Sequence, residues 1–131
     1  YGPSALLQMN DQPSKIDHNA PGSPESQLIG SPIQQSKKKA RQASPLHHVT
    51  ADDASIIHFH GTDDPLVPAH QSTLFHRALK DKGVPSTLIT LKGGGHSMPS
   101  TFTQSKVIPF LDYILYQKGK SLSDQTIPLN N

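Results

Sequence analysis

Two short runs rich in β-branched and aromatic residues, Ser55–His60 (SIIHFH) and Ser86–Leu91 (STLITL), are separated by about 25 residues. The intervening segment places Leu74, Phe75, Ala78 and Leu79 on one helical stripe, and Gly83 and Pro85 close it. A second stripe follows over Val107, Ile108, Phe110, Leu111, Ile114 and Leu115, with Pro109 expected to open the main body of that helix. Strand, helix, strand, helix with so long a crossover predicts parallel strands and a right-handed connection. A parallel pair wants neighbours on its edges and helices on both faces. These strands are therefore expected to belong to a larger α/β sheet whose other strands lie outside the 131 residues.

The chain divides unevenly around that unit. Leu, Ile, Val and Phe make up 8 of residues 1–50 but 19 of residues 51–120, so the first part falls short of what an independent core needs. The expected organisation is a Pro/Ser-rich excursion over 1–50, the strand–helix–strand–helix unit over 51–118, and a polar, frayed tail over 119–131. Within the excursion, Ser4–Met9 predicts one or two helical turns. Ser23-Pro24-Glu25-Ser26 predicts a short helix with Ser23 as N-cap, Pro24 in the first position, and Leu28 and Ile29 buried. Gln34–Ala43 predicts an exposed helix. Its basic run (Lys37, Lys38, Lys39, Arg41) has no interleaved aromatics and reads as a solvated face rather than a nucleic-acid site.

Charge and cysteine content remove several function classes. Twelve Lys and Arg against ten Asp and Glu leave +2, too even for electrostatic capture of nucleic acid or an anionic membrane. Without cysteine there is no disulfide framework, Cys-ligated zinc site, Cys nucleophile or iron–sulfur cluster. No apolar run approaches the roughly 18 residues of a membrane helix. The opening Tyr1-Gly2-Pro3, without methionine, reads as the interior of a longer polypeptide, so no compartment is assigned.

In an open α/β sheet, working residues gather on loops beyond the carboxyl ends of the strands. Two loops qualify: His60-Gly61-Thr62-Asp63-Asp64-Pro65-Leu66-Val67-Pro68 and Gly93-Gly94-Gly95-His96-Ser97. If the strands are adjacent, a carboxylate on the first meets an imidazole on the second. Such a pair fixes one His tautomer and stabilises its protonated form, as a general base in acyl transfer requires.

The segment HGTDDPLVP, followed by a helix, a strand and GGGH, resembles the C-terminal third of an α/β-hydrolase esterase/lipase, nearest the BD-FAE-type feruloyl and acetyl esterases. Tyr1-Gly2-Pro3, Ser23-Pro24-Glu25-Ser26 and Ala43-Ser44-Pro45-Leu46 extend the likeness over about residues 1–117. The resemblance implies that Asp64 is the acid and His96 the base of a Ser-Asp-His triad. It also implies a small acyl ester as substrate, including a carbohydrate ester, and no metal or organic cofactor. Acid before His at the C-terminal end is the order this fold uses. No G-x-S-x-G occurs, so the nucleophile elbow and the early sheet strands are expected upstream, and Ser97, beside His96 on one loop, is no substitute.

Other residues invite competing readings. Asp63 competes with Asp64 but is one position short in spacing from His60-Gly61. His58 and His60 share a strand face as a metal pair would, yet His47, His48, His70 and His76 offer no third ligand at matching spacing. His60 is thus expected as a hydrogen-bonded loop anchor, and Glu25 in a cap or ion pair. Two other functional classes stay open: an inactive fragment or interaction half that needs a partner chain, and an amidase or peptidase of the same fold.

Overall fold

The computed structural model describes residues 1–129. Its first fifty residues hold a 3-10 turn (Leu6–Asp11), helix α1 (Pro24–Ile29), a turn at Ile33–Gln35, helix α2 (Lys37–Gln42) and a turn at Pro45–His48. Strand β1 (Ile56–Gly61), helix α3 (His70–Asp81), strand β2 (Ser86–Lys92), helix α4 (Ser100–Tyr116) and strand β3 (Gln125–Pro128) follow. The sheet order is β1-β2-β3, and both pairings are parallel. Ile56 lies opposite Ser86 and Gly61 opposite Leu91, so the two working loops leave the same end of adjacent strands.

Strand alternation puts the helices on opposite faces. His58 and His60 turn toward α3, where His58 meets the Phe75 ring edge at 5.7 Å and His60 meets Ser72. Phe59 turns the other way and meets Phe102 of α4. Of the predicted α3 stripe, Leu79 is fully buried while Leu74, Phe75 and Ala78 are half-buried. Gly83 adopts the left-handed conformation (φ +78°) that ends this helix and returns the chain to β2.

Three expectations need correction. Over its described residues the tail is not frayed: Gln125–Pro128 form β3 against β2, while residues 130–131 lie outside the described residues. Asp124 fastens it, accepting from the Leu88 amide at 2.9 Å and lying 3.2 Å from His76 Nε2. Four residues with one aliphatic side chain carry too little periodicity to announce a strand. Helix α4 begins at Ser100, and Pro109 sits inside it rather than opening its body. Its first two turns carry Phe102 alone among polar residues and so show no stripe, and the proline forfeits only one backbone hydrogen bond. Leu28 is exposed (69%), because α1 packs through Ser26, Glu25 and Ile29 instead.

The excursion also holds more structure than its composition suggests. Leu6, Ile33 and Ala40 form a buried cluster, with Leu7 and Ile29 against it. Polar clamps complete the fastening. Gln71 of α3, fully buried, accepts from the Ser4 and Ala5 amides at 2.9 and 2.7 Å, and Ser44 Oγ accepts from the Leu6 amide. Ser23 caps α1 as expected, its hydroxyl accepting from the Ser26 amide. Buried polar groups with partners replace apolar area here.

His58 gives the fold an acid sensitivity. Burial, with the neighbouring His76 ring second, lowers its pKa from 6.5 to about 4. The unfolded chain therefore binds a proton below pH 6.5 that the folded chain refuses until pH about 4, so stability falls as pH drops through that window. Thermal melts across the window should show the loss, and His58→Leu should reduce it, the remainder coming from His60, whose pKa burial also lowers; an equally steep loss in the variant would contradict this origin. Asp64 and Asp124, both held below the ordinary carboxylate value of 3.8, contribute stability above 3.8 and lose it only at lower pH.

Candidate active site

The two loops are laced together before any side-chain chemistry begins. The Thr62 amide donates to the Leu91 carbonyl, the Asp63 amide to the Gly94 carbonyl, and the Gly93 amide to Thr62 Oγ1, at 3.0, 2.9 and 2.8 Å. Gly61 is required for this closeness, since a Cβ there would overlap the Gly94 carbonyl. The end of β1 and the turn after β2 thus approach to backbone contact.

Asp64 occupies the centre of this junction with its side chain wholly buried. Its Oδ1 accepts from the Leu66 and Val67 amides at 2.9 and 3.0 Å, the turn geometry that an Asp-Pro sequence favours. Its Oδ2 faces His96 Nδ1 at 2.7 Å and His60 Nε2 at 3.2 Å. Burial alone would raise the pKa of this carboxyl. The Val67 and Leu66 amides and the His96 contact outweigh it and hold the group below its ordinary range. The carboxylate form is the one that can accept from all four donors.

His60 anchors the loop. Its Nε2 faces the Val67 carbonyl at 2.8 Å, and a carbonyl can only accept, so Nε2 carries the proton. Nδ1 then accepts from the Ser72 hydroxyl at 2.6 Å. Burial lowers the pKa of His60, in keeping with a neutral ring. Among the described residues His96 is hydrogen-bonded through Nδ1 alone, and 38% of its side chain is exposed. Asp64 accepts the Nδ1 proton, which leaves Nε2 as the basic atom. The Tyr1 ring stands beside both imidazoles, with centroids 5.1 Å from His96 and 5.8 Å from His60. Burial and the Asp64 charge raise the pKa of its phenol.

The remaining candidates separate cleanly. Asp63 is exposed and accepts from Thr62 Oγ1, away from His96. His58 pairs with Ser86 rather than with a metal set, and no cluster of three metal-ligating side chains occurs among the described residues. Glu25 is buried in an ion pair with His18 (2.9 Å). Lys37, Lys38, Lys39 and Arg41 are exposed, while Ala40 packs inward. Tyr1 and Gln71 had no sequence signal as site or support residues, because each acts through contacts made across long separations, and His18 had none because it and its partner Ser14 lie in an irregular segment without a period.

Several solved structures share this arrangement of elements. A truncated form of a carbohydrate esterase from gut microbiota superposes with a TM-score of 0.70 and 25% identity, over 85% of this chain and 39% of its own. A Mycobacterium tuberculosis puromycin-hydrolyzing peptidase gives 0.63 and 25%, over 98% and 19%. A bifunctional GH43-CE protein of Bacteroides eggerthii gives 0.68 and 24%, over 90% and 16%, a likeness of fold alone. The chain thus spans well under half the length of each. No curated protein matches it. Among the described residues no helix is long and apolar enough to cross a membrane. Three parallel strands flanked by helices, together with these neighbours, mark part of an α/β-hydrolase fold. The BD-FAE family profile matches residues 1–79, more than half of the sequence, and the chain belongs to the BD-FAE family.

Proposed function

We propose that this chain supplies the acid and base of a serine carboxylic-ester hydrolase, with Asp64 as acid, His96 as base, and the nucleophilic serine in the part of the hydrolase domain that precedes these residues. The observation that carries the reading is the Asp64 Oδ2–His96 Nδ1 hydrogen bond of 2.7 Å, with the carboxylate buried and the imidazole partly open. A base oriented this way takes the serine proton through Nε2 as the hydroxyl attacks the ester carbonyl. It then returns that proton to the leaving alcohol, and water repeats the cycle on the acyl-enzyme. Asp64 stays ionised throughout and balances the imidazolium.

The open edge of β1 supports the location of the missing part. Its outer side carries no strand among the described residues. Beside it lies a groove of about 530 Å3 lined in part by Tyr1, Pro3, Ile57, Phe59 and Met98. A half-buried apolar edge of this kind is where further parallel strands belong. The division proposed for the chain is an excursion over 1–50 that overhangs the site, the catalytic-loop unit over 51–118, and the segment 119–131 that adds β3. Small acyl esters, including esters of carbohydrates, are the proposed substrates.

The full-length protein should hydrolyse p-nitrophenyl acetate, and His96→Ala should lower kcat at least about a thousandfold. Retention of wild-type turnover in that variant would remove His96 from the mechanism. A peptidase neighbour shares the fold, so the amide reading is tested alongside: p-nitroacetanilide should turn over far more slowly than the ester. Faster anilide cleavage would favour an amidase.

A further inference from the structure

A second buried histidine–carboxylate pair lies outside the candidate site. Glu25 Oε1 faces His18 Nδ1 at 2.9 Å, and both side chains are at least nine-tenths buried. The other ring nitrogen, Nε2, faces Ser14 Oγ at 3.1 Å. Ser14 Oγ also accepts from the Ile16 amide at 3.1 Å and lies 3.0 Å from the Pro65 carbonyl. A carbonyl accepts only, so the 3.0 Å contact to Pro65 takes the Ser14 proton; His18 Nε2 then donates to Ser14 while Nδ1 donates to Glu25, an arrangement in which the ring carries both protons opposite the carboxylate. Ser14 is therefore held as a donor to the loop and is not poised as a nucleophile.

The destination of that donor matters. The Pro65 carbonyl and the Leu66 amide are two ends of one planar peptide unit. The carbonyl end receives Ser14 Oγ and the Lys15 amide (2.8 Å), while the amide end donates to Asp64 Oδ1 at 2.9 Å. Asp64 Oδ2 in turn holds His96. Glu25, His18, Ser14, the 65–66 peptide, Asp64 and His96 thus form one uninterrupted line of hydrogen bonds. Donors on the carbonyl polarise the amide at the other end and fix the plane of the peptide.

We propose that Glu25, His18 and Ser14 are positioning residues that set the orientation of Asp64, and through it His96, by gripping the Pro65–Leu66 peptide. The proposal rests on the roles of Asp64 and His96 given above. Glu25 fixes the His18 ring, His18 spends its Nε2 proton on Ser14, and Ser14 directs its own proton to the loop. The excursion thereby becomes part of the machinery that holds the base, in addition to overhanging it.

The test uses the full-length protein with Ser14→Ala, Ser14→Thr and Glu25→Gln. Ser14→Ala should lower kcat for p-nitrophenyl acetate about tenfold or more while KM stays within about twofold, since the loss is one of alignment rather than of substrate contact. Ser14→Thr keeps the hydroxyl and should restore most of the rate, and Glu25→Gln should lower kcat in the same sense. A second readout needs no turnover: the proton NMR signal of His96 Nδ1–H, assigned by its absence in His96→Ala, should broaden through faster exchange in Ser14→Ala. Wild-type kcat with an unchanged signal in Ser14→Ala would overturn the proposal, as would failure of threonine to rescue. If His96→Ala keeps full activity, the esterase reading falls separately. The signal comparison then decides the relay alone, broadening upholding it and an unchanged line overturning it.

Discussion

Asp64→Asn is expected to lower kcat for ester hydrolysis by about ten-thousandfold while leaving the fold in place. The geometry dictates how. The Leu66 and Val67 amides require an acceptor, so the asparagine oxygen takes the Oδ1 position and its NH2 group takes that of Oδ2. That NH2 then faces His96 Nδ1, and donor meets donor unless the ring surrenders its Nδ1 proton. The proton moves to Nε2, the atom that must accept from the serine, and the base is lost through its tautomer. The same NH2 also meets the Nε2 proton of His60, so some stability should go as well. Circular dichroism would show the fold retained; activity within about tenfold of wild type would mean that Asp64 does not orient the base.

Gly61→Ala should act on the backbone instead. The added methyl would overlap the Gly94 carbonyl, which is already fixed by accepting from the Asp63 amide. Gly94 cannot retreat easily, because Leu91 fills the space on its own Cβ side. The acid loop and the base loop must separate, and a destabilisation above about 4 kcal/mol is expected in denaturant unfolding. Gly95 offers the control. Nothing lies within 4 Å of a Cβ built there, so Gly95→Ala should stay within about 0.5 kcal/mol of wild type. Equal effects at the two positions would refute the steric account.

Much of the sheet was legible because its residues obey simple periods. Ile56–Phe59 and Ser86–Leu91 carry β-branched residues with hard stops, and Leu74 to Leu79 carry the 3.6-residue stripe, so β1, α3 and β2 follow with their parallel pairing. The juxtaposition of Asp64 and His96 follows from that topology, since both loops leave the same ends of neighbouring strands. β3 was not legible, because its attachment depends on Asp124 reaching Leu88 and His76 rather than on its own apolar content. The short helices of the excursion were legible from their caps and prolines, but its polar anchoring was not. Ser44, Ser26 and His18 within it, and Gln71 of α3 packed against it, are buried and satisfied by hydrogen bonds that composition does not announce. Period reveals buried apolar faces. It says nothing of polar groups satisfied across sixty residues of chain.

The central claim is that His96 activates a serine outside these residues, and covalent labelling tests it most directly. The full-length protein and its His96→Ala variant would be treated with a serine-reactive fluorophosphonate, and the modified residue located by peptide mass mapping. The wild type should take up one phosphonyl group per chain on a serine preceding Tyr1, and the variant should react at least about a hundredfold more slowly. Equal labelling rates in the two proteins, or a modified serine within residues 1–131, would contradict the account.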